Sequence, residues 1–118
     1  MTLFKIALAR LGLSQSEAAA FLNVSVNTVK SWSAGRNPVA PGAWDELFEL
    51  SDRQEHAAQN MMDEWEEAGQ PPDVELGLAS DNHEAQSLGW PSVGAQLAVF
   101  ARFWELSGIA ATISPRGS

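Results

Sequence analysis

The stretch Leu13–Gly35, L-S-Q-S-E-A-A-A-F-L-N-V-S-V-N-T-V-K-S-W-S-A-G, decides the fold. It predicts two short helices joined by a tight turn. Ser14 stands three residues before Glu17, the spacing of a capping box, in which each side chain satisfies a free backbone N–H at a helix start. Ala18, Ala19, Phe21 and Leu22 continue as a compact, mostly apolar helix. Asn23 tolerates the left-handed conformation that stops a helix, and Val24 anchors the turn. Ser25 caps a second helix, along which Val26, Val29 and Trp32 recur at helical spacing. Gly35 ends it.

The polar positions of that second helix are Asn27, Thr28, Lys30, Ser31 and Ser33: short hydrogen-bonding groups and one cation, with no acid. A solvated helix face usually mixes Glu with Lys. A helix that enters the major groove of DNA needs donors for base edges and must not repel phosphates. The pattern is that of a helix-turn-helix, with residues 25–34 as the recognition helix.

The same string, extended to Arg36, resembles the Cro/cI (XRE) class of bacterial and phage repressor domains. There, L-S-Q opens the first helix of the motif and W-x-x-G closes the second. The match covers residues 3–50. Asn23 stands where the family usually has a Gly in the turn, and Ser33 where a Glu often follows the Trp. By position relative to Trp32, the base-reading places fall on Asn27 and Lys30, with Thr28 and Ser31 beside them. Asn can bond adenine with two hydrogen bonds, and Lys can donate to guanine. The resemblance also places Gln15 at the DNA, where the free N–H groups of a helix start favour phosphate. Ser25, Arg36 and Asn37 join it on the backbone, and so does Arg10, because the first helix often lies near the strand in this family.

Charge divides the chain in two. Its 118 residues carry a net charge of −8, which looks wrong for a DNA binder. Residues 1–40, however, hold four cations against Glu17 alone, a net +3, and residues 41–118 hold three arginines against fourteen acids, a net −11. A basic head on an acidic body is expected when only one end meets phosphate.

Outward from this stretch, a first helix is expected over residues 2–11, with Leu3, Ile6, Ala7 and Leu11 turned inward and Gly12 as its stop. Pro41 suits the first position of another helix. From there Trp44, Leu47, Phe48, Ser51, Ala58, Met61, Met62, Trp65 and Ala68 keep helical spacing to Gly69, as one long helix or two with a break near Ser51. Its outer face is strongly acidic and reads as solvated surface. Residues 70–73 form a linker. Val74–Leu78 alternates like a strand, residues 81–88 suit a short helix, and Val93, Leu97, Phe100, Ala101 and Trp104 predict a helix to about Leu106. Ile109–Ile113 closes as a second strand.

The expected fold is therefore mainly α: a helix-turn-helix domain over residues 1–50, a continuing acidic helix over 51–69, a strand–helix–helix–strand unit over 70–114 and a disordered tail over 115–118. A two-stranded ribbon is marginal alone. Pairing across a dimer would bury Val93, Leu97, Phe100, Phe103, Trp104, Ile109 and Ile113. The sequence L-G-W-P-S-V-G-A-Q-L-A-V-F (residues 88–100), preceded by an acidic Met-containing helix and P-P-D-V-E-L, resembles the small two-part repressors found beside anti-CRISPR genes, akin to YdiL-like proteins. That resemblance implies a homodimer that binds an inverted repeat in double-stranded DNA and represses its own operon.

Other chemistries find little support. With no Cys there is no thiolate nucleophile, thiolate metal site or disulfide, which fits a cytoplasmic protein. No nucleophile–base pair, Gly-rich phosphate loop, metal set or cofactor motif stands out. His56 beside Asp52 and Glu55 reads as plain acidic surface. The start lacks a signal-peptide core, and the apolar region Val93–Trp104 is broken by Gln96 and Arg102, too short and too polar for a membrane span. The competing expectation is an antitoxin or similar module whose acidic half covers a partner protein.

Overall fold

A computed structural model describes residues 1–116 of the chain. It is mainly helical: among the described residues there are six helices and one two-stranded sheet. In chain order these are α1 (Leu3–Leu11), α2 (Gln15–Leu22), α3 (Val26–Ala34), α4 (Pro41–Glu67), β1 (Glu75–Leu78), α5 (Asn82–Ser87), α6 (Val93–Ser107) and β2 (Thr112–Pro115).

The first three helices share one punctuation. Each begins at a hydroxyl cap, Thr2, Ser14 or Ser25, whose side chain accepts a backbone N–H three residues on. Each ends at a left-handed residue, Gly12, Asn23 or Gly35. The following N–H then reaches back five residues, from Leu13 to Leu8, Val24 to Ala19 and Arg36 to Ser31. This closure satisfies carbonyls that a helix end leaves free. At the first two ends an apolar residue, Leu13 or Val24, follows the stop and packs into the core beneath.

The inward face of α1 is Phe4, Leu8 and Leu11, whereas Leu3 and Ile6, expected inside, are exposed. The aromatic residue explains the choice. Phe4 stands edge-on to Trp32 at 5.6 Å and to Trp44 at 5.9 Å, and so binds α1 to α3 and α4 in one cluster. Such edge-to-face pairs add to the large area an aromatic ring buries.

Helix α4 is one continuous helix of 27 residues, about 40 Å long. Its buried stripe is Ala43, Leu47, Leu50, Gln54 and Ala58. The upper part belongs to the core of α1–α3; the lower part, with Met61, Met62 and Trp65, packs on Val99 and Phe103 of α6. Phe48, expected in the apolar stripe, lies 66% exposed. Trp90 touches both clusters. After α4 the chain turns back, and the Trp65 indole N–H donates to the Pro71 carbonyl at 2.9 Å.

The two strands run parallel, with Leu76 opposite Ile113 and Leu78 opposite Pro115. A parallel pair needs a long crossover, here supplied by α5 and α6. Gln96 fastens β1 to α6: its side-chain oxygen accepts from Ala79 N at 2.8 Å and its NH₂ donates to Gly77 O at 3.1 Å. The second strand falls later than the expected Ile109–Ile113. It includes Pro115, and Arg116 N donates to Leu78 O, so residues 115 and 116, expected in a disordered tail, are ordered against β1. Residues 117 and 118 of that tail lie outside the described residues. No helix among the described residues is long and apolar enough to cross a membrane.

Candidate nucleic-acid interface

Helix α3 is held against α1 and α2. Val29 and Trp32 are buried, and the Thr2 hydroxyl donates to the Ser33 carbonyl at 2.8 Å. Ser33 is itself buried, so it does not belong to the polar outer face where its sequence position had suggested it. The residues left outward are Val26, Asn27, Lys30 and the final Ala34, with Thr28 and Ser31 half covered. Among these there is no acid.

Two of the three hydroxyls on this helix, those of Thr28 and Ser31, have partners within the chain, whereas the buried Ser33 hydroxyl has none among the described residues. Thr28 Oγ1 lies 2.9 Å from Ser25 Oγ, which also accepts the Thr28 N–H at 3.1 Å. Ser31 Oγ accepts from the Asn37 amide at 2.6 Å. These contacts stiffen the first turn and the exit of α3, while Asn27 and Lys30 project free of such bonds in the described contacts. Val26, counted as an apolar anchor from its spacing, is 37% exposed at the first position of α3. Its methyls are available for a thymine methyl, a contact that apolar side chains make in the major groove. Sequence reasoning missed it because Val26 shares the helical spacing of Val29 and Trp32.

Around α3 the flanking groups divide. Gln15 opens α2 half-buried, beside the capping box in which Ser14 N donates to Glu17 Oε1 at 2.9 Å and Glu17 N donates to Ser14 Oγ at 3.1 Å. Ser25 caps α3, and Arg36 and Asn37 are exposed beyond its left-handed stop at Gly35. Arg10 is turned elsewhere: its guanidinium pairs with Glu105 of α6 at 3.5 Å, at the surface. The arrangement is a rigid, acid-free helix face flanked by one cation and several hydrogen-bond donors. Chemically it suits a polyanion with readable edges better than a small substrate.

No known protein family and no curated protein matches this chain.

The residues expected at a dimer contact fall into three settings. Leu97, Phe100, Trp104, Ile109 and Ile113 line one open apolar groove of about 290 Å³ between α6 and β2. Trp104 is 59% exposed there. Phe103 reaches the same groove but is buried within the subunit, edge-on to Trp65 at 6.4 Å, so most of its area is already used. Val93 lies outside the groove. It begins α6 half-buried, with its N–H donating to Asn82 Oδ1 at 2.9 Å.

Two polar residues that sequence reasoning did not single out as structural hold the core together. Gln54 is fully buried; its NH₂ donates to Leu11 O at 2.9 Å and Ala95 O at 3.2 Å, and its oxygen accepts from Arg102 at 3.0 Å. Arg102 also donates to Ser51 Oγ at 3.1 Å. Burial, and then the nearby charge of Arg10, lower the Arg102 guanidinium from its ordinary value, while Glu55 and Glu105 raise it. In the structure both residues fall on the buried stripe of their own helices.

Proposed function

We propose that the protein is a sequence-specific DNA-binding transcriptional regulator, a homodimeric repressor of XRE type that binds an inverted repeat. The observation that carries this reading is the outer face of α3, exposed and free of acids in a chain of net charge −8. Asn27 and Lys30 read bases, with Val26, Thr28 and Ser31 shaping the contact. Gln15, Ser25, Arg36 and Asn37 hold phosphates and fix the register. The α6–β2 groove joins two copies, and the acidic outer face of α4 suppresses non-specific binding.

Two features support the dimer. The groove leaves Leu97, Trp104 and Ile113 open to water, and the parallel strand pair is covered by α6 on one side only, whereas parallel sheets are normally buried on both faces. The same open groove also favours a second reading, in which it receives a different protein. Sedimentation of the purified protein separates the two: a dimer with the groove closed supports the regulator, a monomer with an exposed apolar patch supports the partner-binding module.

DNA binding itself is tested by titrating the protein with duplex of mixed sequence at about 50 and about 200 mM salt. The proposed phosphate contacts require association at the lower concentration and a steep loss at the higher. A folded protein that fails to associate at low salt would overturn the reading.

A further inference from the structure

The junction between the α1–α3 head and the α5–α6 unit is built differently from either core. It is polar and very close. A Cβ on Gly12 would stand 2.0 Å from the Gly94 carbonyl oxygen, and one on Gly94 would stand 2.2 Å from the Gly12 oxygen. Backbone therefore meets backbone where α1 ends and α6 begins. The Ser92 hydroxyl, buried as the cap of α6, donates to Gly12 O at 2.9 Å. Gln54 of α4 bridges Leu11 O and Ala95 O across the same line. Asn82 closes the far side, donating to Glu17 Oε2 at 2.7 Å and accepting from Val93 N at 2.9 Å.

Such a seam differs in kind from an apolar contact. Apolar surfaces tolerate sliding, but each of these bonds has a direction and loses strength within tens of degrees. Buried polar groups left unpaired are costly, so the junction has few alternative arrangements. The bonds run from the end of α1 and the start of α2 directly to the start of α6. They therefore connect the helix pair that presents α3 to the helix that forms the open groove.

Resting on the reading of the protein as a DNA-binding dimer, we propose that this seam locks the α3 face and the α6 groove into one body, and thereby fixes the half-site spacing that the dimer accepts. If two copies join through α6, the angle between α6 and α3 determines the separation and phase of the two recognition helices. A change of one base pair between half-sites moves them apart by about 3.4 Å and rotates them by roughly 35°. A locked seam cannot follow that change; a loosened one can. Asn82 and Gly94 are in this sense positioning residues, remote from the proposed DNA contacts.

The test compares the wild type with Asn82→Ala, which removes at a half-buried site the bond to Glu17 across the seam and the bond to Val93 that braces it, and with Gly94→Ala. The latter leaves helix propensity intact or improved and wedges α1 from α6. Two readouts are taken. First, the chain has no Cys, so Ala34→Cys and Ser87→Cys place a spin-label pair across the seam, measured in labelled chains diluted with unlabelled ones. A narrow distance distribution in the wild type, broadened by Asn82→Ala and displaced by Gly94→Ala, supports the lock; equal distributions in all three overturn it. Second, affinity is measured for the preferred site and for the site with one base pair inserted. The wild type is expected to discriminate by about tenfold or more and Asn82→Ala by about threefold or less, with dimerisation unchanged. Equal discrimination in both proteins, or none in the wild type, overturns the role in spacing. Failure to bind any DNA would instead count against the regulator itself, while the spin-label distances still decide whether the seam is locked.

Discussion

The Glu17 carboxylate serves two distant parts of the chain. Its Oε1 accepts from the Ser14 N–H at 2.9 Å and closes the start of α2, while its Oε2 accepts from the Asn82 amide, 65 residues away, at 2.7 Å. One side chain thus caps the helix before the turn and ties it to the C-terminal unit. Glu17→Ala removes both roles, and a loss of about 1–2 kcal/mol in unfolding free energy is expected from urea titration. A change below a few tenths would mean that solvent replaces both bonds at no cost.

The glycines that end α1 and α3 have nearly the same backbone, φ of 79° at Gly12 and 76° at Gly35, but different surroundings. A Cβ at Gly35 meets only a Thr2 methyl at 3.4 Å, whereas one at Gly12 collides with the Gly94 backbone. Gly35→Ala should cost about 1–2 kcal/mol, the left-handed penalty alone. Gly12→Ala should cost at least about 2 kcal/mol more, because α6 must also move. Equal thermal shifts in the two variants would contradict the close approach.

Gln54→Ala should destabilise the protein by about 2–3 kcal/mol, although it shortens a polar side chain by only a few atoms. The change leaves the buried Arg102 guanidinium with Ser51 alone and takes the Gln54 donor from the Leu11 and Ala95 carbonyls. Chemical denaturation with two probes, one near each aromatic cluster, checks the size and whether both clusters unfold together. A variant as stable as the wild type would show that the junction is hydrated.

Trp104 and Phe103 are neighbours in sequence with opposite surroundings, one largely exposed and the other buried. Trp104→Glu is expected to separate the subunits while leaving the fold intact, read by sedimentation. Phe103→Ala is expected to cost about 3–5 kcal/mol of stability. A Trp104→Glu protein that still sediments as a dimer would move the interface elsewhere.

On the DNA side, Lys30→Ala is expected to weaken specific binding by about 1–3 kcal/mol and relax preference at one position. Arg36→Ala should weaken binding evenly across sequences and reduce the salt slope by about one. Competition titrations against single-base variants of the preferred site separate the two. Uniform loss with Lys30→Ala would assign it to phosphate.

Much of this was legible in the sequence where local chemistry decides structure. Ser14 with Glu17, Asn23, Ser25 and Gly35 each act on backbone within a few residues, and each did what its type and spacing implied. The inward face of α1 was misread because Ile6 and Leu3 satisfy a helical pattern as well as Phe4 and Leu8 do. What settles the matter is the pair of tryptophans, Trp32 and Trp44, which come from other helices. Gln54 and Arg102 were illegible for a related reason: their value lies in partners more than forty residues away. At the candidate interface the exposed Asn27 and Lys30 followed from residue type. The burial of Ser33 and the outward turn of Val26 required knowing how α3 sits on α1.

The central claim is that α3 reads DNA in a symmetric pair. The most direct measurement is selection of bound sites from a random double-stranded pool, run beside the Asn27→Ala/Lys30→Ala double variant. The account predicts enrichment of a two-fold symmetric site, with half-sites about one helical turn apart, that the double variant loses. A folded wild-type protein that enriches no site at low salt, or a double variant that enriches the same site equally well, would contradict it.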